Sequence, residues 1–165
     1  MRVLIVEDDR ELAQSLASHL RESGMIVELA HEGNDAAFLG CTEDYDAAVL
    51  DLGLPGMDGV SLLTHWREEG RRFPVLILTG RSRWSDKLAG FSAGADDFLT
   101  KPFLFEEVVL RLRALLRRAH GHADPVLQVG ALAYDTLQGR FLYEGRRLAL
   151  TAQEERILAY LMHRP

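Results

Sequence analysis

The sequence lacks cysteine pairs, long apolar runs, repeats and a net positive charge. It contains one cysteine, Cys41, so no disulfide can form within the chain. No apolar run is long enough for a signal peptide or a membrane span, because the N-terminal run reaches an acid at Glu7. Internal repeats and low-complexity segments are absent. The net charge of −6 provides no positive field along the whole chain, so any nucleic-acid contact requires a local patch.

What remains is the profile of a globular, cytoplasmic protein. Hydrophobic residues make up 47% of the chain and charged residues 27%, which is typical of folded domains. A length of 165 residues is enough for one ordinary domain, or for one domain and part of another.

Short apolar runs alternate with amphipathic stretches over residues 1–119. We predict strands at 2–6, 25–29, 46–50, 74–78 and 95–99, and helices at 11–22, 34–41, 60–69, 85–93 and 103–118. The alternation predicts an α/β fold, a doubly wound five-stranded parallel sheet with helices on both faces. The uninterrupted apolar strands fit burial on both sides.

The pattern changes after residue 119. Residues 120–125 are small and polar and end in Asp-Pro, which indicates a linker. Runs at 127–129, 132–134, 140–143 and 147–150 are separated by glycines and predict a small antiparallel sheet. Residues 151–162 predict a helix with Ile157, Leu158 and Leu161 on one face, and Thr151 with Glu154 forms a capping-box pattern. We therefore expect domain 1–119, linker 120–125 and a partial domain 126–165.

Polar residues follow four of the predicted parallel strands. Glu7 and Asp8 follow the first strand, Asp51 ends the third, Thr79 ends the fourth, and Lys101 follows the fifth. Ligands of such sheets bind beyond the carboxyl ends of the strands. These side chains are therefore expected to converge on one edge.

The chemistry of this set points to a metal and a phosphoryl group. Crowded carboxylates repel one another unless a cation neutralises them, and Mg²⁺ prefers such oxygen ligands while keeping waters for a phosphate. An aspartate beside the metal can attack phosphorus, and a lysine can neutralise the transferring group. Singly, each residue is better explained as a helix cap, a turn residue or strand filler. Together, at the ends of successive strands, they predict a phosphorylation site.

Four segments carry a family resemblance: LIVEDD at 4–9, DLGLPGMDG at 51–59, LTG at 78–80 and GADDFLTKPF at 94–103. In this order they resemble the receiver domain of two-component response regulators, over essentially all of residues 1–119. The resemblance implies that Asp51 accepts a phosphoryl group from a sensor histidine kinase. It also implies that Asp8, Asp51 and the Gly53 carbonyl bind Mg²⁺ directly, with Glu7 acting through a metal-bound water.

The same resemblance assigns the remaining residues of the pocket. Thr79 and Lys101 are expected to contact the phosphoryl oxygens, and the Lys101–Pro102 bond is expected to be cis. Thr79 and Phe98 occupy the switch positions, at which the aromatic ring turns inward when the threonine moves toward the phosphate. Tyr is usual at the aromatic position, so the chain keeps the buried ring but loses the hydroxyl.

The subfamily resemblance is to OmpR/PhoB-type regulators, which form two-fold homodimers through the face of the fourth helix, fifth strand and fifth helix. The family pattern pairs Lys87 with Glu107, Asp97 with Arg111, and Asp96 with Arg118, across the dimer or within a chain. The alternative is a solvated charged face, in which each pair is worth little.

Residues 126–165 resemble the platform strands and first helix of a winged-helix output domain. A recognition helix that enters the major groove is not among them, so DNA is an expected partner only if the full output domain is present.

Three functions compete on these observations. The first is a phosphorylation-controlled transcription regulator, which is not an enzyme beyond slow loss of its own phosphoryl group. The second is a truncated receiver that acts through protein–protein contacts without DNA. The third is a metal-dependent phosphatase, which is disfavoured because Gly53 stands where a second, proton-donating acid is needed.

Overall fold

The computed structural model describes residues 1–80, 84–119, 126–136 and 138–163, and these form two sheets with their helices. The first sheet has five parallel strands in the order β2-β1-β3-β4-β5. Its elements are β1 (Arg2–Val6), α1 (Arg10–Glu22), β2 (Ile26–Ala30), α2 (Gly33–Thr42), β3 (Ala47–Asp51), α3 (Gly59–Glu68), β4 (Val75–Thr79), α4 (Trp84–Ser92), β5 (Asp97–Thr100) and α5 (Phe105–Ala119). The doubly wound parallel fold predicted from the alternating pattern is confirmed, with β1 at its predicted limits and those of β2 to β5 moved by one or two residues.

Two apolar layers hold the helices against this sheet. One layer packs α1 and α5 against one face, with Leu16 and Leu112 fully buried in it. The other packs α2 and α3 against the opposite face around Trp66, which is also fully buried. Every residue of β3 and β4 is buried, because helices cover both faces of the central strands. The central strands therefore hold their carboxyl ends in fixed positions.

The second sheet is antiparallel, as predicted, in the order β6 (Val126–Val129), β7 (Leu132–Asp135), β8 (Arg140–Tyr143) and β9 (Arg146–Arg147). The prediction of a strand at 147–150 was wrong in its limits. Glu144 and Gly145 adopt φ angles of 49° and 77° and make a two-residue hairpin turn, so β9 starts one residue earlier. The strand ends at Arg147, and residues 148–150 lead into the next helix.

The last helix, α6 (Ala152–His163), begins at the predicted capping box. The Glu154 amide donates to Thr151 Oγ1 at 3.3 Å, and the Thr151 amide donates to Glu154 Oε2 at 2.7 Å.

The apolar face predicted for α6 coincides only in part with the face that is buried. Ile157 and Leu161 are 54% and 56% exposed, whereas Ala159 and Met162 are buried against the sheet. The helix packs on the part of the sheet formed by Leu127, Tyr134 and Phe141, so only a narrow face of α6 contacts the sheet. Leu158 lies at the edge of that face and is partly buried.

The predicted linker at 120–125 lies outside the described residues. In the described ranges, every helix is too short or too polar to cross a lipid bilayer.

Candidate functional site

The register of the parallel sheet brings the predicted site residues to one edge. Val6 pairs with Leu50, Asp51 pairs with Leu78, and Thr79 pairs with Thr100. The residues that end or follow β1, β3, β4 and β5 consequently meet at the carboxyl end of the sheet, where α/β sheets bind ligands.

Three carboxylates gather at this edge. Glu7 and Asp51 are only 2% and 8% exposed, while Asp8 faces solvent. One carboxylate oxygen from each lies within 4.8 Å of the others. The neighbouring Asp9 has a separate task, since its Oδ1 accepts the amides of Glu11 and Leu12 at 3.0 Å and caps α1. The acidic run after β1 therefore divides into site residues and a helix cap.

Lys101 connects the two buried carboxylates. Its Nζ donates to Glu7 Oε2 and to Asp51 Oδ2, both at 2.7 Å. Burial would lower the pKa of Lys101, but the hydrogen bonds and charges of Asp51 and Glu7 outweigh it and raise that pKa. Burial is also the main reason that the pKa of Glu7 is raised, with the charge of Asp51 adding to it and Lys101 opposing it.

The backbone around Lys101 ties it to the neighbouring strand. The Lys101–Pro102 peptide bond is cis, which confirms the expectation from sequence. The Lys101 amide donates to the Thr79 carbonyl at 2.9 Å, so β4 and the lysine are held together beside the acids. Thr79 itself is 1% exposed at the end of β4.

The β3–α3 loop, residues 52–58, closes the pocket on the Asp51 side. The Gly53 amide donates to Asp51 Oδ1 at 3.1 Å, and the Gly59 amide donates to the Leu52 carbonyl at 3.2 Å. Asp58 ends the loop by capping α3, with its Oδ1 accepting the amides of Val60 and Ser61. The loop is thus hydrogen-bonded at both ends.

Phe98 lies half-buried under α4. Its ring centroid is 4.6 Å from that of Phe91. A Cβ atom on Gly90 would lie 3.2 Å from Phe98 Cε1 and 2.9 Å from Ile77 Cδ1, and it would overlap Phe98 Cζ. The absence of a side chain at Gly90 therefore lets the ring sit between α4 and the sheet.

Four of the six charged residues predicted for a dimer face form contacts within the chain, namely Asp96, Asp97, Glu107 and Arg111. Arg111 donates to Asp97 Oδ2 at 2.8 Å and to Glu107 Oε1 at 2.7 Å. Asp96 is engaged elsewhere, because its Oδ2 accepts the Val75 amide at 2.8 Å and lies 3.3 Å from an Arg67 nitrogen. Of the three pairings expected from the family pattern, only Asp97 with Arg111 forms inside the protomer among the described residues. Lys87 is half-buried and Arg118 is exposed.

Sequence reasoning missed two residues that support the site. His31 Nδ1 donates to the Glu7 carbonyl at 2.9 Å and fixes the backbone next to the buried acid. Arg67 donates to the Gly94 carbonyl at 2.8 Å and holds the turn before β5. Both bonds join residues that are far apart in sequence, so no local pattern could have revealed them.

The donor set fits a hard divalent cation. All three side chains offer carboxylate oxygens, two of them are buried beside one another, and the exposed Asp8 leaves the edge open to water or a ligand. A single ammonium group neutralises only part of the charge of three carboxylates.

Comparisons with known proteins agree with this geometry. Residues 3–113 match the family described as "Response regulator receiver domain". The two-component response regulator PhoP of Pseudomonas aeruginosa is 44% identical over 162 residues, which cover 98% of this chain and 72% of the relative.

Two solved structures are also similar. The response regulator DrrB of Thermotoga maritima, an OmpR/PhoB homolog, is 30% identical with a TM-score of 0.64, over 98% of this chain and 72% of that chain. The receiver domain of the sensor histidine kinase PA1611 of Pseudomonas aeruginosa PAO1 is 32% identical with a TM-score of 0.65, over 70% of this chain and 96% of that chain. That structure holds a magnesium ion coordinated in the active-site cleft.

Proposed function

Because the chain belongs to the OmpR/PhoB-type two-component response regulators, whose receiver domain it contains, we propose that Asp51 is its phosphoacceptor. The donor is a phosphohistidine on a sensor histidine kinase, and the phosphorylated form dimerises to control transcription. The observation that carries the proposal is the contact of Lys101 Nζ with both Glu7 and Asp51 at 2.7 Å, at the edge where Asp8 is also within reach.

In this proposal Asp8, Asp51 and the Gly53 carbonyl would hold Mg²⁺ directly, and Glu7 would act through a metal-bound water. The ion supplies charge neutralisation and orientation for the phosphoryl group. The arrangement is supported by the oxygen-only donor set and by the magnesium ion in the cleft of the similar kinase receiver.

The chain's own residues then perform the transfer. A carboxylate oxygen of Asp51 forms a bond to phosphorus as the bond between phosphorus and the histidine nitrogen breaks, so the phosphoryl group passes intact to the aspartate. Lys101 leaves its contact with Asp51 to stabilise charge on the transferring oxygens, and the Thr79 hydroxyl donates a hydrogen bond to one of them. The same proposal divides the chain into a receiver domain at 1–119, a linker at 120–125 and part of a winged-helix domain at 126–165.

The test is phosphorylation by a small phosphodonor. Wild type, Asp51→Ala and the matched control Asp9→Asn are incubated with acetyl phosphate and Mg²⁺, and intact masses are recorded. Wild type and Asp9→Asn should each gain one phosphoryl group, because the Asp9 side chain caps α1 and only its backbone amide contacts Glu7. Asp51→Ala should gain none. Equal modification of all three proteins, or of none, would contradict the proposal.

Phosphorylation is proposed to act by shifting a pre-existing equilibrium between inactive and active conformations. Thr79 moves toward the phosphoryl group, the half-buried Phe98 ring turns further inward, and the α4–β5–α5 face becomes competent for dimerisation. Arg111 bonds Asp97 of β5 and Glu107 of α5 within the protomer, so it can give up one of these contacts for the same residue of a second protomer. Thr79→Ala should still accept phosphate but should dimerise poorly in light scattering, and normal phospho-dependent dimerisation would contradict this coupling.

One observation favours the alternative of a receiver that works through protein contacts. Arg140 lies 3.6 Å from Asp135, and Arg146 and Arg147 follow closely after Glu144, which gives a mixed surface rather than a phosphate-binding patch. Strong, sequence-specific DNA binding by residues 1–165, measured by fluorescence anisotropy, would exclude this alternative.

A further inference from the structure

The first turn of α2 makes an unusually close approach to the β3–α3 loop. Gly33 is buried, and a Cβ atom placed on it would overlap the Met57 carbonyl oxygen and lie 2.9 Å from Met57 Cβ and 3.0 Å from Met57 C. The φ angle of Gly33 is not in the left-handed region, so any residue could adopt its backbone conformation. Glycine is required there by packing alone, because even a methyl group would push the loop backbone outward.

The loop that rests on Gly33 is the one that carries Gly53. Its two ends are fixed, by the Gly59 amide bond to the Leu52 carbonyl and by the Asp58 cap of α3. A Cβ atom on Gly59 would lie 2.8 Å from Leu52 Cα, so the start of α3 also packs directly on the backbone after Asp51. A loop of seven residues, 52–58, that is held at both ends cannot move at Met57 without a compensating change at its other residues.

We infer that Gly33 is a positioning residue for the metal site, because α2 sets the height of the β3–α3 loop and thereby the position of the Gly53 carbonyl. This inference rests on the proposed function, in which that carbonyl is a ligand of Mg²⁺. Gly33 touches neither the ion nor the phosphoryl group. It acts through Met57, in the way that residues outside the coordination sphere orient metal ligands.

The same helix provides a matched control. Gly40 is also buried in α2, and a Cβ atom on it would lie 2.5 Å from Trp66 Cε2 and 2.9 Å from Trp66 Cδ1. Gly33→Ala and Gly40→Ala therefore introduce the same methyl group into the same helix, each against a crowded neighbour. Only Gly33→Ala presses on the loop that carries Gly53, so a general loss of packing should affect both variants whereas a loss of metal positioning should affect one.

The experiment is a Mg²⁺ titration followed by ¹⁵N–¹H correlation spectra of wild type, Gly33→Ala and Gly40→Ala, which report folding and ion affinity together. Gly33→Ala should raise the dissociation constant for Mg²⁺ about tenfold, as loss of an outer support does in metal sites. Gly40→Ala should remain within about twofold of wild type by the same reasoning. Initial phosphorylation rates should show the same split, with the rate of Gly33→Ala restored at saturating Mg²⁺.

The outcomes separate the inference from the proposed function. If wild type does not bind Mg²⁺, the proposed metal site is wrong. If wild type binds and both variants lose affinity equally, or neither does, the role of Gly33 is wrong. Should Gly33→Ala fail to fold, Met57→Gly loosens the loop from its own side without changing α2. Its dissociation constant for Mg²⁺ should also rise, and an unchanged value would overturn the inference.

Discussion

Replacing Lys101 by methionine should lower the free energy of unfolding in the absence of metal and raise the affinity for Mg²⁺. The Lys101 ammonium is 2.7 Å from one oxygen each of Glu7 and Asp51, whose side chains are 2% and 11% exposed. Methionine fills a similar volume but removes the charge. The two buried carboxylates are then left facing each other without the cation that now lies between them.

The magnitude follows from the geometry. One pair of opposite charges about 4 Å apart is worth about 4 kcal/mol at an effective dielectric constant of about 20. The lysine is 24% exposed, and burial raises the pKa of Glu7 so that this acid takes up a proton more readily. Both effects reduce the loss. We expect the free energy of unfolding in a chelating buffer to fall by about 3 kcal/mol, in the range for a buried ion pair that loses one partner. A divalent cation takes over the neutralising role, so affinity for Mg²⁺ should rise at least about tenfold, equivalent to about 1.4 kcal/mol.

The assay is urea unfolding of wild type and Lys101→Met with a chelator and with saturating Mg²⁺, together with a Mg²⁺ titration. Lys87→Met replaces the only other lysine in the sequence and serves as the control, with no expected change in Mg²⁺ affinity. Lys101→Met should also accept phosphate more slowly, because the transferring group loses a neutralising charge. Weaker or unchanged Mg²⁺ binding by Lys101→Met would refute the reasoning.

Three further predictions concern residues outside the acidic cluster. Tyr45→Phe removes the hydroxyl that donates to Glu28 at 2.8 Å and is the main cause of the lowered pKa of Glu28, with Arg2 contributing. A lowered carboxyl pKa gives stability that is present above pH 4.5 and lost on acidification, so the variant should be less stable than wild type at pH 7. In urea unfolding, this difference in stability should shrink as the pH falls below 4.5. Gly90→Ala should lower the free energy of unfolding by about 1–2 kcal/mol in chemical denaturation, because the new methyl group crowds Phe98 and Ile77 by more than the helix propensity of alanine offsets. An unchanged denaturation midpoint would show that the Phe98 ring can shift without loss of packing. Arg111→Ala removes the contacts with Asp97 and Glu107 and should reduce dimerisation of the phosphorylated protein in light scattering, while leaving its phosphorylation rate within about twofold, since Arg111 acts on the dimer face alone.

The first sheet could be predicted because its sequence signals are local. Apolar runs and helical spacing identify the strands and helices, and the parallel topology then forces Glu7, Asp51, Thr79 and Lys101 to one edge. No side-chain detail was needed to reach that arrangement.

Other features depend on contacts that no local pattern encodes. Asp96 lies in a charged run that indicates a surface pairing, yet its carboxylate accepts the Val75 amide and forms an ion pair with Arg67 of α3. The inward face of α6 depends on which stripe of the helix meets a sheet of four short strands, and spacing alone selected Ile157 and Leu161, which are exposed. The close approach of Gly33 to Met57 likewise joins two segments that only the folded chain brings together.

The central claim is that the acidic edge of the sheet readies Asp51 to carry a phosphoryl group, and chemical trapping of the modified residue tests it most directly. Borohydride reduces an aspartyl phosphate to homoserine, which peptide mass mapping can locate in protein treated with phosphodonor and Mg²⁺. The account predicts homoserine at position 51 only, and none when Mg²⁺ is chelated. Trapping at Asp8, Asp9 or another acid, or no trapping in a protein that has gained phosphate, would contradict it.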